Sequence, residues 1–343
     1  MFEEKFKICF GFACSSILMI LINKEMAIQL NSYVSILLLM QNLFTLLILK
    51  YTTKPHFEKE KAQKWVPCSI FFSINIFTSI ISFLYINVPT FTIFRNLQPL
   101  LAIALNVAYP TNAPPQNLSI FFLIFVIQGA IVYAFNDLQF SFIGYVWALC
   151  HVVSMSFYAC LVKFLNSCEN MNLNAQEMSF YNNLLSIPII LLFCLGKIMY
   201  NYDTMIKENN VLKCLSQSLS CSLVFCISLL GSYAVSVSGF AAQKVLSPVS
   251  WLTLNNFSKI PAILISVVIW GPILHPKQIF GLLISMSSAY CYSLSEQNYI
   301  AKKHRKILMF SFIAIGIYSS MDPYTVQAGL QNFMQTNSTM YYY

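Results

Sequence analysis

Four side chains carry chemistry that a hydrophobic segment has no use for. Asn182 and Asn183 stand side by side in "SFYNNLLSIP" (179–188), which runs on as "IILLFCLG" to Gly196. Arg95 lies within "VPTFTIFRNLQPLL" (88–101), and Lys259 within "LSPVSWLTLNNFSKIPAIL" (246–264). A charge at the centre of a membrane helix costs at least about 2.5–3.5 kcal/mol on insertion scales. Buried amides are costly unless hydrogen-bonded. The cations therefore want an anionic or dipolar partner, and the amides want something to bond.

Helical spacing sorts these residues onto faces. Trp251, Asn255, Ser258 and Lys259 fall at i, i+4, i+7 and i+8, one face of one helix. Thr92, Arg95 and Asn96 share a second face, and Ser179, Asn182, Asn183 and Ser186 a third. An Asn side chain offers one acceptor and two donors, so the third stripe suits the mixed edge of a nucleobase or ribose. It equally suits interhelical bonding between Asn and Ser, and both readings stay open. So do two readings of the cations: snorkelling to an interface, or pairing with a bound anion such as a phosphate. The carboxylates offer no internal partner at mid-span. Glu3, Glu4, Glu58, Glu60, Glu169, Asp203 and Glu208 lie in loops, and Glu25 and Asp137 at span ends.

The elements that must carry these faces follow from composition. Of 343 residues, 57% are hydrophobic and only 9% charged, where a water-soluble chain carries about 25% charged. With about 20 apolar residues needed per crossing, ten spans are predicted: 8–30, 32–49, 65–86, 90–110, 118–135, 141–162, 178–196, 215–239, 248–270 and 278–294. The patch Ile307–Tyr318 is too short for an eleventh. The run after "MFEEKFKICF" has no small-residue cleavage site and reads as a retained first span.

Alternating from a cytosolic N-terminus puts thirteen of the twenty Lys and Arg on the cytosolic side and five opposite, with Arg95 and Lys259 within spans. That asymmetry predicts both termini in the cytosol. The net charge of +8 thus reads as orientation, with no nucleic-acid partner implied. The triplets Asn117-Leu-Ser and Asn256-Phe-Ser would stay unmodified there, and Asn337-Ser-Thr matters only if Ile307–Tyr318 crosses. The basic run "AKKHRK" (301–306) has a positive-inside role. The 11 Cys show no metal spacing and read as small buried hydrophobes; no metal or other cofactor is expected. The four His (His56, His151, His275, His304) are scattered, and only His151 lies inside a span. No catalytic constellation is present, and the chain is not expected to be an enzyme.

Ten spans divide five and five. An odd number per half inverts the second half, the geometry of an inverted repeat. Spans four and nine each have a Pro near the start, a basic residue, and a Pro soon after it (Arg95 to Pro99, Lys259 to Pro261). Pro-broken helices near the midplane are where such architectures bind their cargo. The expected units are therefore 1–136, 137–296 and a basic tail, 297–343.

At "FYNN" the chain resembles the nucleotide-sugar transporters of the drug/metabolite transporter superfamily, in motif above all the Golgi GDP-mannose transporters. Phe180, Tyr181, Asn182 and Asn183 match their span-seven motif in full. Their span-nine motif, Gly-Ala-Leu-Asn-Lys followed by an apolar residue and Pro, is matched only at Lys259 and Pro261 within Asn255-Asn256-Phe257-Ser258-Lys259-Ile260-Pro261. "SSILMILINKE" (15–25) resembles the family's first span, and "TIFRNL" (92–97) carries Arg95 where the family usually has Lys. The likeness covers roughly residues 8–295.

The resemblance implies an all-α, ten-helix membrane fold. It also implies a nucleotide end contacted by Tyr181, Asn182 and Asn183, with Ser236 a further candidate for the base. Lys259 would meet the diphosphate, with Arg95 as a second phosphate partner. Trp251 stands where the family often has Tyr near the sugar, and Ser258 replaces the motif's Asn. Asn255 replaces its Gly, which removes space beside the sugar. The implied activity is antiport at the Golgi membrane, or alternatively the endoplasmic reticulum. A GDP-sugar, GDP-mannose first, would enter the lumen for glycosylation in exchange for GMP, with membrane lipids and a second copy of the chain (a homodimer) as implied partners. Rivals are the same fold with another cargo (GDP-fucose, a UDP-sugar or a phosphorylated metabolite) and a non-transporting partner or regulator.

Overall fold

The computed structural model describes residues 2–30, 34–53, 55, 57–107, 117–137, 139–167, 171, 173–200, 219–271 and 275–296. The tail from 297, with the patch Ile307–Tyr318 and the third triplet, lies outside them. All secondary structure among the described residues is helical: α1 Phe2–Leu30, α2 Val34–Thr53, α3 Lys59–Tyr85, α4 Val88–Arg95, α5 Gln98–Val107, α6 Asn117–Phe135, α7 Phe142–Ser167, α8 Ala175–Tyr200, α9 Leu219–Val245, α10 Pro248–Phe257, α11 Ile260–Trp270 and α12 Pro276–Glu296.

Seven stretches among the described residues are long and apolar enough to cross a membrane: Glu3–Met26, Ile36–Thr53, Lys59–Tyr85, Phe142–Asn166, Ala175–Leu195, Ser222–Val245 and Pro248–Trp270. Ile120–Phe135 is apolar but shorter. The expected count of ten is thus met only in part, for physical reasons. The predicted fourth span is two short helices, α4 and α5. The predicted tenth, α12, is helical throughout but diluted by Gln278 and a run of serines.

The polarity of the bundle is turned inside out relative to a water-soluble protein. Leu192 (68% exposed), Leu264 (64%) and Val268 (85%) stand on its outer surface, while Gln41, Asn42, Ser69, Ser73, Asn182 and Gln98 are buried. Apolar flanks facing outward and polar side chains kept within are what a lipid solvent selects. The chain is a multi-pass membrane protein. The cysteines are more varied than the sequence reading: Cys68, Cys194 and Cys291 are buried, but Cys14, Cys150 and Cys226 sit on the outer surface.

Two helices are broken at mid-bundle, and local chemistry explains both breaks. Asn87 caps α4 by accepting the Thr90 N–H at 2.8 Å, with Pro89 in the first turn. Ser247 caps α10 by accepting the Ser250 N–H at 3.2 Å, with Pro248 at its start. Such caps satisfy donors that the helix cannot. Each partner half-helix then restarts with a proline in its first turn, Pro99 in α5 and Pro261 in α11. Pro99 has no N–H to give the carbonyl four residues back, which belongs to Arg95. That oxygen is taken instead by the side chain of Asn256, whose Nδ2 donates to it at 2.6 Å.

The two breaks are therefore clasped together. Asn256, the second glycosylation-type asparagine, is 2% exposed inside α10. Asn256→Leu should lower the thermal stability of the detergent-solubilised protein by about 1–3 kcal/mol, the cost of an orphaned buried carbonyl. A melting temperature equal to wild type would show that the clasp does not hold the breaks.

Around the breaks, α3 packs on α7, α1 on α9, α2 on α8, and α6 on α12. At the α6–α12 seam, backbone meets backbone. A Cβ on Gly129 would lie 2.6 Å from the Ser285 N and 2.7 Å from the Gly281 O, and one on Gly281 would lie 2.7 Å from the Gly129 O and the Tyr133 N. Beside this seam, Asp137 gathers four elements. It accepts from Tyr145 Oη (2.6 Å), Gln278 Nε2 (2.9 Å) and Thr90 Oγ1 (3.3 Å), and from the Gln139 N–H (3.1 Å). Lys24 closes the same end of the bundle by donating to the carbonyls of Phe83 and Ile86 at the end of α3.

Candidate functional site

A cavity of about 200 Å³ lies at the centre of the bundle, between α1, α2, α3, α7, α8, α9 and the two breaks. Phe12 and Asn23 of α1 both line it, which makes it roughly 16 Å long at about 1.5 Å per helical residue. Its walls change character along that length. One end is aromatic: Phe12, Tyr158, Phe240 and Trp251 face it. Trp251 packs on Phe12 (ring centroids 6.0 Å) and on Tyr158 (6.4 Å). Asn183, Ser236 and Gln243 supply polar groups there. The far end holds Asn23, Gln41, Asn42, Asn75 and His151.

Between the two ends stand the cations. Lys259 sits in the break between α10 and α11, 1% exposed. Its Nζ donates to Ser16 Oγ, which donates in turn to Asn255 Oδ1 at 3.2 Å. Arg95 ends α4, 7% exposed, and its guanidinium lies 5.7 Å from the Phe91 ring. Neither snorkels outward. The Nε of Arg95 has no hydrogen-bond partner. No Asp or Glu lines the cavity among the described residues. The site thus holds two positive side chains with no negative one, in surroundings where an unneutralised charge is expensive.

Six of the nine candidates from the sequence line this one cavity: Asn183, Ser236, Trp251, Asn255, Lys259 and Arg95. The other three do not. Asn182 turns away: its Oδ1 accepts from Trp65 Nε1 at 3.4 Å and its Nδ2 is buried without a partner. Tyr181 packs on Phe57 and its hydroxyl accepts from the Glu58 N–H at 2.9 Å, tying the start of α3 to α8. The hydroxyl of Ser258 donates to the Asn255 carbonyl at 2.9 Å.

The polar stripe of α8 therefore divides. Asn183 Nδ2 donates to the Ser179 carbonyl one turn back in α8 (2.7 Å) and, between helices, to Ser236 Oγ of α9 (3.1 Å), which leaves Oδ1 to the cavity. Adjacent residues on a helix point about 100° apart, so one amide of the pair can face inward while its neighbour packs. Trp251 Nε1 and Gln243 Oε1 are likewise buried without partners at the aromatic end. Sequence reasoning missed Ser16, Asn75, His151 and Gln243. The signal for Asn75 and His151 is a polar residue between apolar neighbours, whereas Ser16 and Gln243 each have a polar neighbour, Ser15 and Lys244.

No family model matches the chain. It is 28% identical to "GDP-fucose transporter 1" of Arabidopsis thaliana over 295 residues, 83% of this chain and 84% of that one. It is 23% identical to "UDP-galactose/UDP-glucose transporter 7" of the same plant, covering 87% and 92%. It is 26% identical to "GDP-mannose transporter 2" of Vanderwaltozyma polyspora, covering 84% and 91%. A solved crystal structure aligns with a TM-score of 0.53 at 12% identity, over 83% of this chain and 98% of that one, a likeness of fold. Homologues of this chain are thus named nucleotide-sugar transporters, at 22–28% identity over most of its length.

Proposed function

We propose that this homologue of nucleotide-sugar transporters is an antiporter that exchanges a GDP-sugar, GDP-mannose first, for GMP across the Golgi membrane. The observation that carries the reading is the acid-free pair of buried cations, Lys259 and Arg95, in a central cavity shared with Asn183. A diphosphate offers two neighbouring negative charges to such a pair. The aromatic end, which also holds Asn183 and Ser236, has faces on which a base can stack, and the unpartnered Trp251 Nε1 and Gln243 Oε1 offer a donor and an acceptor to its edge; Trp251 is thereby assigned to the base, where the resemblance implied the sugar. The far end is left for the sugar. Asn182, Tyr181 and Ser258 act through packing around this site, since none of them lines it.

The proposed architecture has two five-helix repeats, 1–136 and 137–296, of opposite orientation, with the breaks of α4–α5 and α10–α11 in corresponding places. The packing of α1 on α9 alongside that of α3 on α7 supports such an exchange of equivalent helices. The repeats rock about the cavity, both termini face the cytosol, and a homodimer is the expected assembly. With cargo absent, the two cations repel within a closed site. Occupancy removes that cost, and a ligand shifts a conformational equilibrium by its differential affinity for the two states.

Proteoliposomes loaded with GMP test the reading. They should accumulate GDP-mannose from outside, and unloaded vesicles should not. The names of the relatives widen the panel to GDP-fucose, UDP-galactose and UDP-glucose. Uptake of UDP-sugars without any GDP-sugar overturns the guanine assignment, and uptake of none overturns transport.

A further inference from the structure

Away from Trp251 and Tyr158, His151 of α7 and Asn75 of α3 stand in the wall of the cavity, and neither belongs to a sequence motif. His151 is 3% exposed and Asn75 8%, and both line the cavity. The Nδ1 of His151 lies 3.1 Å from the backbone carbonyl of Asn75. A carbonyl oxygen only accepts, so Nδ1 carries the hydrogen in that bond. In the neutral ring, Nε2 is then left with its lone pair. Nε2 has no hydrogen-bond partner, and neither does Asn75 Oδ1.

The Phe91 ring fixes the imidazole from one side at a centroid distance of 4.7 Å, and the same ring carries the Arg95 guanidinium. Buried polar atoms without partners are rare and call for an explanation. Here two acceptors stand on adjoining helices beside a cation, at the end of a cavity whose other end is aromatic.

We propose that His151 Nε2 and Asn75 Oδ1 form a hydroxyl-reading subsite that accepts hydrogen bonds from neighbouring hydroxyls of the cargo's sugar. The chemistry follows from the atoms. A pair of acceptors suits two donors and rejects a carboxylate or phosphate oxygen, which brings only lone pairs. The phosphates are thereby kept to Lys259 and Arg95, and the sugar is set beyond them. The inference rests on the transporter reading and deepens it by giving the sugar end its own contacts.

The experiment compares two ligands that differ only at that end. GDP-mannose and GMP compete for exchange into proteoliposomes carrying wild-type protein, His151→Phe, His151→Gln or Asn75→Ala. Where wild type prefers GDP-fucose, UDP-galactose or UDP-glucose, that sugar nucleotide is paired with its own monophosphate. His151→Phe keeps a ring against Phe91 but removes the acceptor. It should weaken the sugar nucleotide by about tenfold or more, the scale of a buried hydrogen bond lost. The monophosphate should change by less than about twofold. His151→Gln, which keeps an acceptor, should return the sugar nucleotide to within about threefold of wild type. Asn75→Ala, which leaves the backbone carbonyl in place, should repeat the selective loss and carries the test if His151→Phe fails to fold.

Equal weakening of both ligands, or no weakening of the sugar nucleotide, overturns the subsite while leaving transport intact. Wild-type protein that takes up neither ligand overturns the transport reading, and the subsite with it.

Discussion

Lys259→Met should cut nucleotide-sugar exchange by roughly thirty- to several-thousand-fold, the cost of about 2–5 kcal/mol for truncating one member of a buried, hydrogen-bonded charge pair. Lys259 lies in the α10–α11 break, donates to Ser16, and has no acid beside it in the cavity. The same change should act in the opposite direction on the empty protein. A buried cation without a counter-charge destabilises, and an apolar residue of similar length in its place is often neutral or stabilising by about 1–4 kcal/mol. Methionine should therefore raise the melting temperature of the ligand-free protein while removing the rise that a nucleotide sugar gives wild type. Ser16 keeps its bond to Asn255, so the α1–α10 contact survives the change. Uptake by Lys259→Met within about threefold of wild type would remove the charge from the mechanism.

Gly129→Ala and Gly11→Ala should move stability in opposite directions. At Gly129 the new methyl meets backbone atoms of Ser285 and Gly281 at 2.6–2.9 Å. Main chain cannot step aside as a flexible side chain can. The seam must open, at a cost of about 1–3 kcal/mol or more for overpacking, and Gly129→Leu should yield no folded protein. Gly281→Ala should behave alike, because its Cβ would strike the Gly129 carbonyl and the Tyr133 N–H. At Gly11 nothing lies within 4 Å of the added carbon, and alanine in a helix gains about 0.5–1 kcal/mol over glycine. Thermal unfolding in detergent reads both. A Gly129→Ala protein as stable as wild type would mean that α6 and α12 do not touch as closely as described.

How much of this was legible in the sequence depends on the range of the cause. Long helices such as α3 and α7 are written in runs of apolar residues, so their existence and rough limits could be read. The breaks were half legible. Pro99 and Pro261 mark them, but the sequence suggests a continuous fourth span because it does not show that Asn96 and Leu97 leave the helix. The pair Asn182–Asn183 exposes a limit of face arguments. A polar stripe about 100° wide contains both residues, and only the packing of Trp65 against one of them decides which looks inward. His151 was visible as the one histidine inside a span, yet nothing local separates a packed histidine from one on a cavity wall. Its neighbour, Asn75, is 76 positions away in the chain. The seam is likewise invisible in sequence, because Gly129 and Gly281 acquire meaning only when α6 and α12 meet.

The tie from Asn256 ends on a main-chain oxygen, not on the side chain of residue 95. Proline at position 99 liberates that oxygen whatever amino acid precedes it. Residue 95 can therefore exchange one basic group for another, or lose its charge, without unfastening the two interrupted helices from each other. Anion preference and mechanical linkage are in this way assigned to different atoms of a single residue, and each is free to evolve without the other.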